Sequence, residues 1–210
     1  VIKEKSEESP MTILYEYHHN LYVNLTNRCP CACTFCLRQN RDGVGESGSL
    51  WLEQEPSVEQ VKAEFAKFPV EQYDEIVFCG FGEPTVRIAE LLEVAGYVKS
   101  RYQKKIRVNT NGLGNLIHGR DITPEFKGKV DKISISLNTP NAKRFEELTQ
   151  SIFGEKAFDG LMEFAGKVKE YVPEVVMTTV ATTLTEEEEE QCGEICKRLG
   201  VRYRIRPWED

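Results

Sequence analysis

Four of the chain's seven cysteines fall within Arg28-Cys29-Pro30-Cys31-Ala32-Cys33-Thr34-Phe35-Cys36. Three and then two residues separate Cys29, Cys33 and Cys36, with the aromatic Phe35 just before the last. Three thiolates on one short loop suit a soft metal centre. A cubane iron–sulfur cluster needs a thiolate on each of its four irons, so this spacing leaves one iron open to a small molecule. A zinc site that also uses Cys31 competes. Structural zinc, however, usually takes its ligands from two separate knuckles, and here all four lie in one loop. Cys192 and Cys196 share a helical face and have only Cys79 to join them, so they read as buried apolar thiols.

Other polar clusters follow apolar runs. Gly82-Glu83-Pro84 is a common turn taken alone, with a glycine that lets backbone approach a ligand closely. Thr110-Asn111-Gly112 and Ser136-Leu137-Asn138 each close a strand-like run, and their hydroxyl and amide groups both donate and accept. Turn chemistry is the plainer reading of Asn-Gly. Arg204 and Arg206 lie two apart and share a face. Facing a lumen, they would bind a carboxylate or phosphate; on an edge strand, they would be solubilising charges. Gly43, Gly45 and Gly48 match a dinucleotide fingerprint, but no strand leads in directly and no helix opens at the end. A flexible loop is expected instead, with Glu46, Ser47, Ser49 and Trp51 within reach of a substrate.

The cysteine spacing with its aromatic, together with Gly80-Phe81-Gly82-Glu83-Pro84-Thr85, resembles the radical S-adenosylmethionine (radical SAM) superfamily. Phe81 replaces the first glycine of that family's Gly-Gly-Glu-Pro segment. Leu21 to Cys31 and Gly43 to Leu52 are similar to the small TatD-linked subgroup, with which the extra Cys31 agrees. The resemblance implies a [4Fe-4S] cluster on Cys29, Cys33 and Cys36, whose open iron chelates S-adenosyl-L-methionine (SAM). It implies that Gly82 and Glu83 receive the methionyl ammonium and that Phe35 lies by the adenine. Asn111, Ser136 and Asn138 would address the carboxylate and ribose. Independently of the resemblance, Arg204 and Arg206, if their face is the lumen, would meet an anionic substrate or the cofactor's carboxylate. The implied reaction is reductive cleavage of SAM to methionine and a 5′-deoxyadenosyl radical that abstracts hydrogen from a substrate not identified by sequence. A reducing flavodoxin or ferredoxin is the implied partner. Two alternatives are an activase that installs a glycyl radical on a partner protein and a non-enzymatic iron–sulfur or metal-binding module.

The elements that must position these residues alternate along the chain. Met11–Tyr17 and Leu21–Thr26 read as a hairpin about His18-His19-Asn20, whose two histidines are expected in a solvated turn. Strands are expected at Leu21–Thr26, Glu75–Cys79, Ile106–Thr110, Lys132–Leu137, Val175–Ala181 and Arg202–Arg206. Helices are expected at Val58–Phe68, Ile88–Tyr102, Ala142–Leu148, Phe158–Tyr171 and Glu186–Leu199. Ser57 with Gln60 and Thr185 with Glu188 make capping boxes, and Thr123-Pro124 and Thr139-Pro140 place a cap before a proline. The acidic run Glu186 to Glu190 then reads as a dipole-favoured helix start. Such alternation specifies an α/β fold with a parallel sheet. With six units, the expected form is a partial (β/α)6 barrel of the radical SAM type with an N-terminal β-hairpin strand. Several strands alternate, with Ile133 and Ile135 on one side and Ser134 and Ser136 on the other. A sheet covered on both faces would be apolar on both, so the polar side faces a lumen or water. The cysteine loop at the end of the first parallel strand favours a lumen.

The 210 residues are enough for one well-buried domain, expected over 11–210 after a charged, disordered leader over 1–10. No apolar run is long enough to span a bilayer and no export leader is seen, so a cytoplasmic protein is expected. The net charge of -7 does not indicate nucleic-acid binding. An odd number of clustered cysteines fits metal ligation better than a disulfide framework.

Overall fold

The computed structural model describes residues 11–207. Its organising element is one seven-stranded sheet in sequence order, β1 to β7. β1 (Leu14–Tyr17) and β2 (Asn20–Val23) form an antiparallel hairpin. Its two-residue turn has His18 and His19 at positive φ, 44° and 59°, the left-handed pair that matches the twist of hairpin strands. β2 then pairs in parallel with β3 (Glu75–Phe78), which pairs with β4 (Lys105–Thr110). β5 (Lys132–Ser136), β6 (Glu174–Val180) and β7 (Arg202–Arg206) continue the parallel ladder. These six parallel strands and their crossovers form the partial (β/α)6 barrel.

Helices cover one face: α1 (Val58–Glu64), α2 (Ile88–Tyr102), the short α3 (Gly114–His118), α4 (Ala142–Thr149), α5 (Lys156–Val168) and α6 (Glu186–Leu199). Both capping boxes form, at Ser57/Gln60 and Thr185/Glu188. The two Thr-Pro sites correct the expectation. Asp121 Oδ1 accepts from the Thr123 N–H ahead of the turn at Thr123–Phe126. Asn141, one residue beyond Pro140, caps α4 through the Arg144 N–H. An Asn in reach serves as a cap at least as well as threonine, and the turn at Thr123–Phe126 has no side-chain cap.

The sheet's apolar side packs on the helices. Ile76, Phe78, Val108, Ile133, Ile135 and Met177 are all fully buried there. Cys192 and Cys196 belong to the same core, as buried thiols. Register places the polar set on the opposite, inner face: Val77 opposes Arg107, Asn109 opposes Ser134, Ser136 opposes Thr178, and Thr178 opposes Arg204. The expected leader over 1–10 lies outside the described residues.

Candidate functional site at the carboxyl ends of the strands

The cysteine loop leaves β2 at its carboxyl end and is gripped from several directions. Ala32 N–H and Thr34 N–H bond the Thr149 and Leu148 carbonyls at the end of α4, at 2.9 Å each. Ile152 N–H bonds the Pro30 carbonyl at 2.9 Å. Arg38 donates to the carbonyls of Asn27 and Phe81, at 3.3 Å each, and of Cys31 at 3.0 Å. It thereby joins the loop to the segment after β3 and sets a cation beside the thiols. Asn27 clamps Leu52 through both its N–H and its carbonyl, and Arg28 forks onto Glu55 at 2.6 and 2.9 Å. Buried Arg87 holds the Leu25 and Pro56 carbonyls. Sequence reasoning missed these four residues. The available signal was a cation two positions after the last cysteine, where anionic sulfurs need compensation.

Cys31 is buried, and Cys29, Cys33 and Cys36 are partly exposed. Cys31 donates hydrogen bonds to Cys29 and Cys33, which holds both below the ordinary thiol range and pushes Cys31 well above it. Burial raises Cys36. Among the described residues, no three His, Cys, Asp or Glu side chains stand at distances that would hold a metal ion. The donor set nonetheless fits an iron–sulfur cluster. Three thiols share one anchored loop, Arg38 stands beside them, and Asn111 Nδ2 points at the sulfurs of Cys29 and Cys31, at 3.9 and 3.7 Å.

Gly82 shows why a side chain is excluded beside that loop. A Cβ there would stand 2.3 Å from the Thr26 carbonyl oxygen and 2.7 Å from that of Arg28. Glu83 follows, 3% exposed. Its Oε1 accepts from Thr85 N–H, Thr85 O–H and Thr110 O–H, and its Oε2 accepts from Asn111 N–H at 2.8 Å. Burial raises the Glu83 carboxyl, and these bonds oppose the rise. Oε1 is therefore committed to the fold, while Oε2 carries one bond.

The remaining expected residues separate. Phe35 is 39% exposed, with its ring at the loop surface. Asn111 has its Oδ1 bonded by Leu113 N–H, fixing the amide so that Nδ2 faces the thiols. Asn138 is buried with φ 64°. Asparagine tolerates that left-handed conformation better than most residues, so its backbone alone accounts for part of the choice. Ser136 is half-buried on the inner face. Arg204 is exposed, whereas Arg206 is half-buried with its Nε buried and unbonded. The glycine loop departs from expectation. Thr12 Oγ1 bonds the Ser47 carbonyl, and Glu46 and Ser47 line a cavity of ≈ 670 Å³ with His18, His19 and Tyr73. That places them by the hairpin turn, away from the cysteines. Trp51 does reach the site's edge, its ring 5.1 Å from that of Phe81.

The family model for the radical SAM superfamily matches residues 23–199. Molybdenum cofactor biosynthesis protein 1 of Drosophila melanogaster is 28% identical over 157 residues, covering 74% of this chain and 26% of that protein. A GTP 3′,8-cyclase of Peptoclostridium acidaminophilum is 26% identical over 143 residues, covering 68% of this chain and 41% of that protein. The chain thus spans well under half the length of either curated relative. Among solved structures, Streptococcus suis SuiB bound to S-adenosylmethionine superposes with a TM-score of 0.64 at 14% identity, over 90% of this chain and 38% of that one. The cysteine loop, the glycine-tight turn after β3 and the family match converge: the chain belongs to the radical SAM superfamily, enzymes that use a [4Fe-4S] cluster and SAM.

Proposed function

We propose that this chain is the SAM-cleaving domain of an enzyme that abstracts hydrogen from a substrate bound against the inner face of the sheet. The observation that carries the reading is the cysteine loop, tied by Arg38 and α4 over the carboxyl ends of a parallel sheet whose inner face is polar. Parallel α/β folds place their ligand sites at that end.

When bound, the cluster and SAM supply the electron and the carbon-centred radical that make this chemistry possible. The chain's own residues bind and orient. Cys29, Cys33 and Cys36 hold the cluster, while the Gly82 carbonyl and the free side of Glu83 Oε2 accept from the methionyl ammonium. Ser136 and Asn138 offer hydroxyl and amide groups to the ribose diol, Phe35 presents its ring to the adenine, and Asn111 faces the sulfurs. The reductant is a flavodoxin or ferredoxin in the cytoplasm, and the similarity of Leu21–Cys31 and Gly43–Leu52 to the TatD-linked subgroup is part of the same reading. No described helix is long and apolar enough to cross a membrane.

The test is anaerobic reconstitution with iron and sulfide, followed by SAM and dithionite. Formation of 5′-deoxyadenosine is expected, and loading with a single zinc and no 5′-deoxyadenosine would reject the reading. GTP enters the assay as one test substrate because the Peptoclostridium acidaminophilum relative is named a GTP 3′,8-cyclase.

A further inference from the structure

The inner face distributes its positive charge unevenly. Towards the strand starts the cations are neutralised, apart from Lys105, which is exposed where β4 opens. Arg107 Nε lies 3.1 Å from Glu75 Oε2, Lys132 Nζ lies 3.3 Å from Glu174 Oε1, and Arg202 Nη1 lies 2.5 Å from that same oxygen. Towards the mouth the pattern breaks. Arg206, paired in register with Val180, has no carboxylate partner among the described residues; its Nε, like that of Arg107, is buried without a hydrogen bond, but Arg107 has Glu75 beside it and Arg206 has no such counter-charge. Burial raises the Cys79 thiol, just past β3, and the charge of Arg206 is within electrostatic reach and opposes the rise.

A second orphan faces the same place. Asn109 on β4 hydrogen-bonds the Cys79 thiol through its side chain and has a buried Oδ1 with no partner. Asn109 precedes Asn111 by two residues on the same face, so it sits one inner row, roughly 6–7 Å, deeper than the amide that faces the cysteine sulfurs. A guanidinium with a buried, unbonded Nε and no counter-charge, and a buried carbonyl with no donor, are each costly in isolation. One ligand that brings an anion for the first and an N–H or O–H for the second satisfies both.

We propose that Arg206 and Asn109, with Cys79 between them, form a substrate subsite in the lumen for a carboxylate or phosphate group that neighbours a hydrogen-bond donor. This rests on the reading that the inner face holds the substrate, and it assigns that substrate a negative charge. Arg204, one row away on β7 and exposed, lies outside the subsite.

The test follows the arginine Nε–H resonances of the reconstituted full chain by NMR during titration with inorganic phosphate and, separately, acetate. The signal that disappears in Arg206→Gln is expected to move saturably with at least one anion, and the stronger response names the anion class. Arg206→Gln is expected to weaken binding of that anion about tenfold or more, as for loss of a charged hydrogen-bond partner. Arg206→Lys, which keeps the charge and loses the fork, should fall between, and Arg202→Gln should bind like wild type. The proposal is overturned if the Arg206 signal ignores both anions, if Arg206→Gln binds them unchanged, or if SAM alone moves the signal and blocks phosphate. The last result would give the site to the cofactor's carboxylate. The same samples are assayed for 5′-deoxyadenosine. Cofactor cleavage without an anion response rejects the subsite alone, whereas absent cleavage in wild type rejects the enzymatic reading itself.

Discussion

On the helix-covered side of the sheet, Phe78, Val108, Ile133 and Met177 have no exposed surface. On the other side, Cys79, Arg107, Asn109, Ser134 and Arg206 are all only partly buried, and three of them carry buried polar atoms without a hydrogen-bond partner. The same strands supply both sets, alternating residue by residue. The outer face is therefore determined by what folding needs, and the inner face by something folding does not supply. A sheet optimised for stability alone would bury apolar side chains on both faces.

This contrast can be broken by truncating each face in turn. Phe78→Ala should cost about 3–5 kcal/mol, the usual penalty for emptying a packed aromatic site, measured by urea denaturation. Gly82→Ala stands between fold and site. Its Cβ would collide with the Thr26 and Arg28 carbonyls, so a loss of about 1–3 kcal/mol is expected. Lower iron loading should accompany it, because the collision displaces the start of the cysteine loop. Ser57→Ala removes the α1 capping box on the helix side but outside the core, and about 1 kcal/mol is expected. Ser134→Ala, on the inner face, should change stability by no more than about 0.5 kcal/mol. If Ser134→Ala proved as damaging as Phe78→Ala, the division between the faces would fail.

Much of this was legible in the sequence because period-two alternation and helix periodicity are local signals. Each of the six expected parallel strands overlaps an observed one, and Ser57 and Thr185 cap as their spacing requires. Legibility ended where a choice depended on tertiary neighbours. Asn141 took over from Thr139 because its side chain reaches the Arg144 N–H in the first turn of α4, whereas the turn at Thr123–Phe126 has no side-chain cap and Asp121 only bonds the Thr123 N–H ahead of it. The glycine loop could not be placed from sequence, since contacts with Thr12 and Tyr17 direct it to the hairpin. Arg204 and Arg206 share a face and a composition, yet only the second is half-buried, because exposure on an edge strand depends on what lies across the lumen. Arg38 was overlooked for a related reason: its three carbonyl partners come from separate segments that meet only in the fold.

The central claim is that three of the four clustered cysteines are ligands and the fourth is a neighbour. Anaerobic reconstitution of Cys31→Ala and Cys33→Ala, with iron counted and the reduced protein examined by electron paramagnetic resonance, tests it most directly. The account predicts about four irons per chain and a SAM-sensitive signal in Cys31→Ala, as in wild type, and loss of both in Cys33→Ala. Loss of the cluster in Cys31→Ala, or its survival in Cys33→Ala, would contradict the assignment.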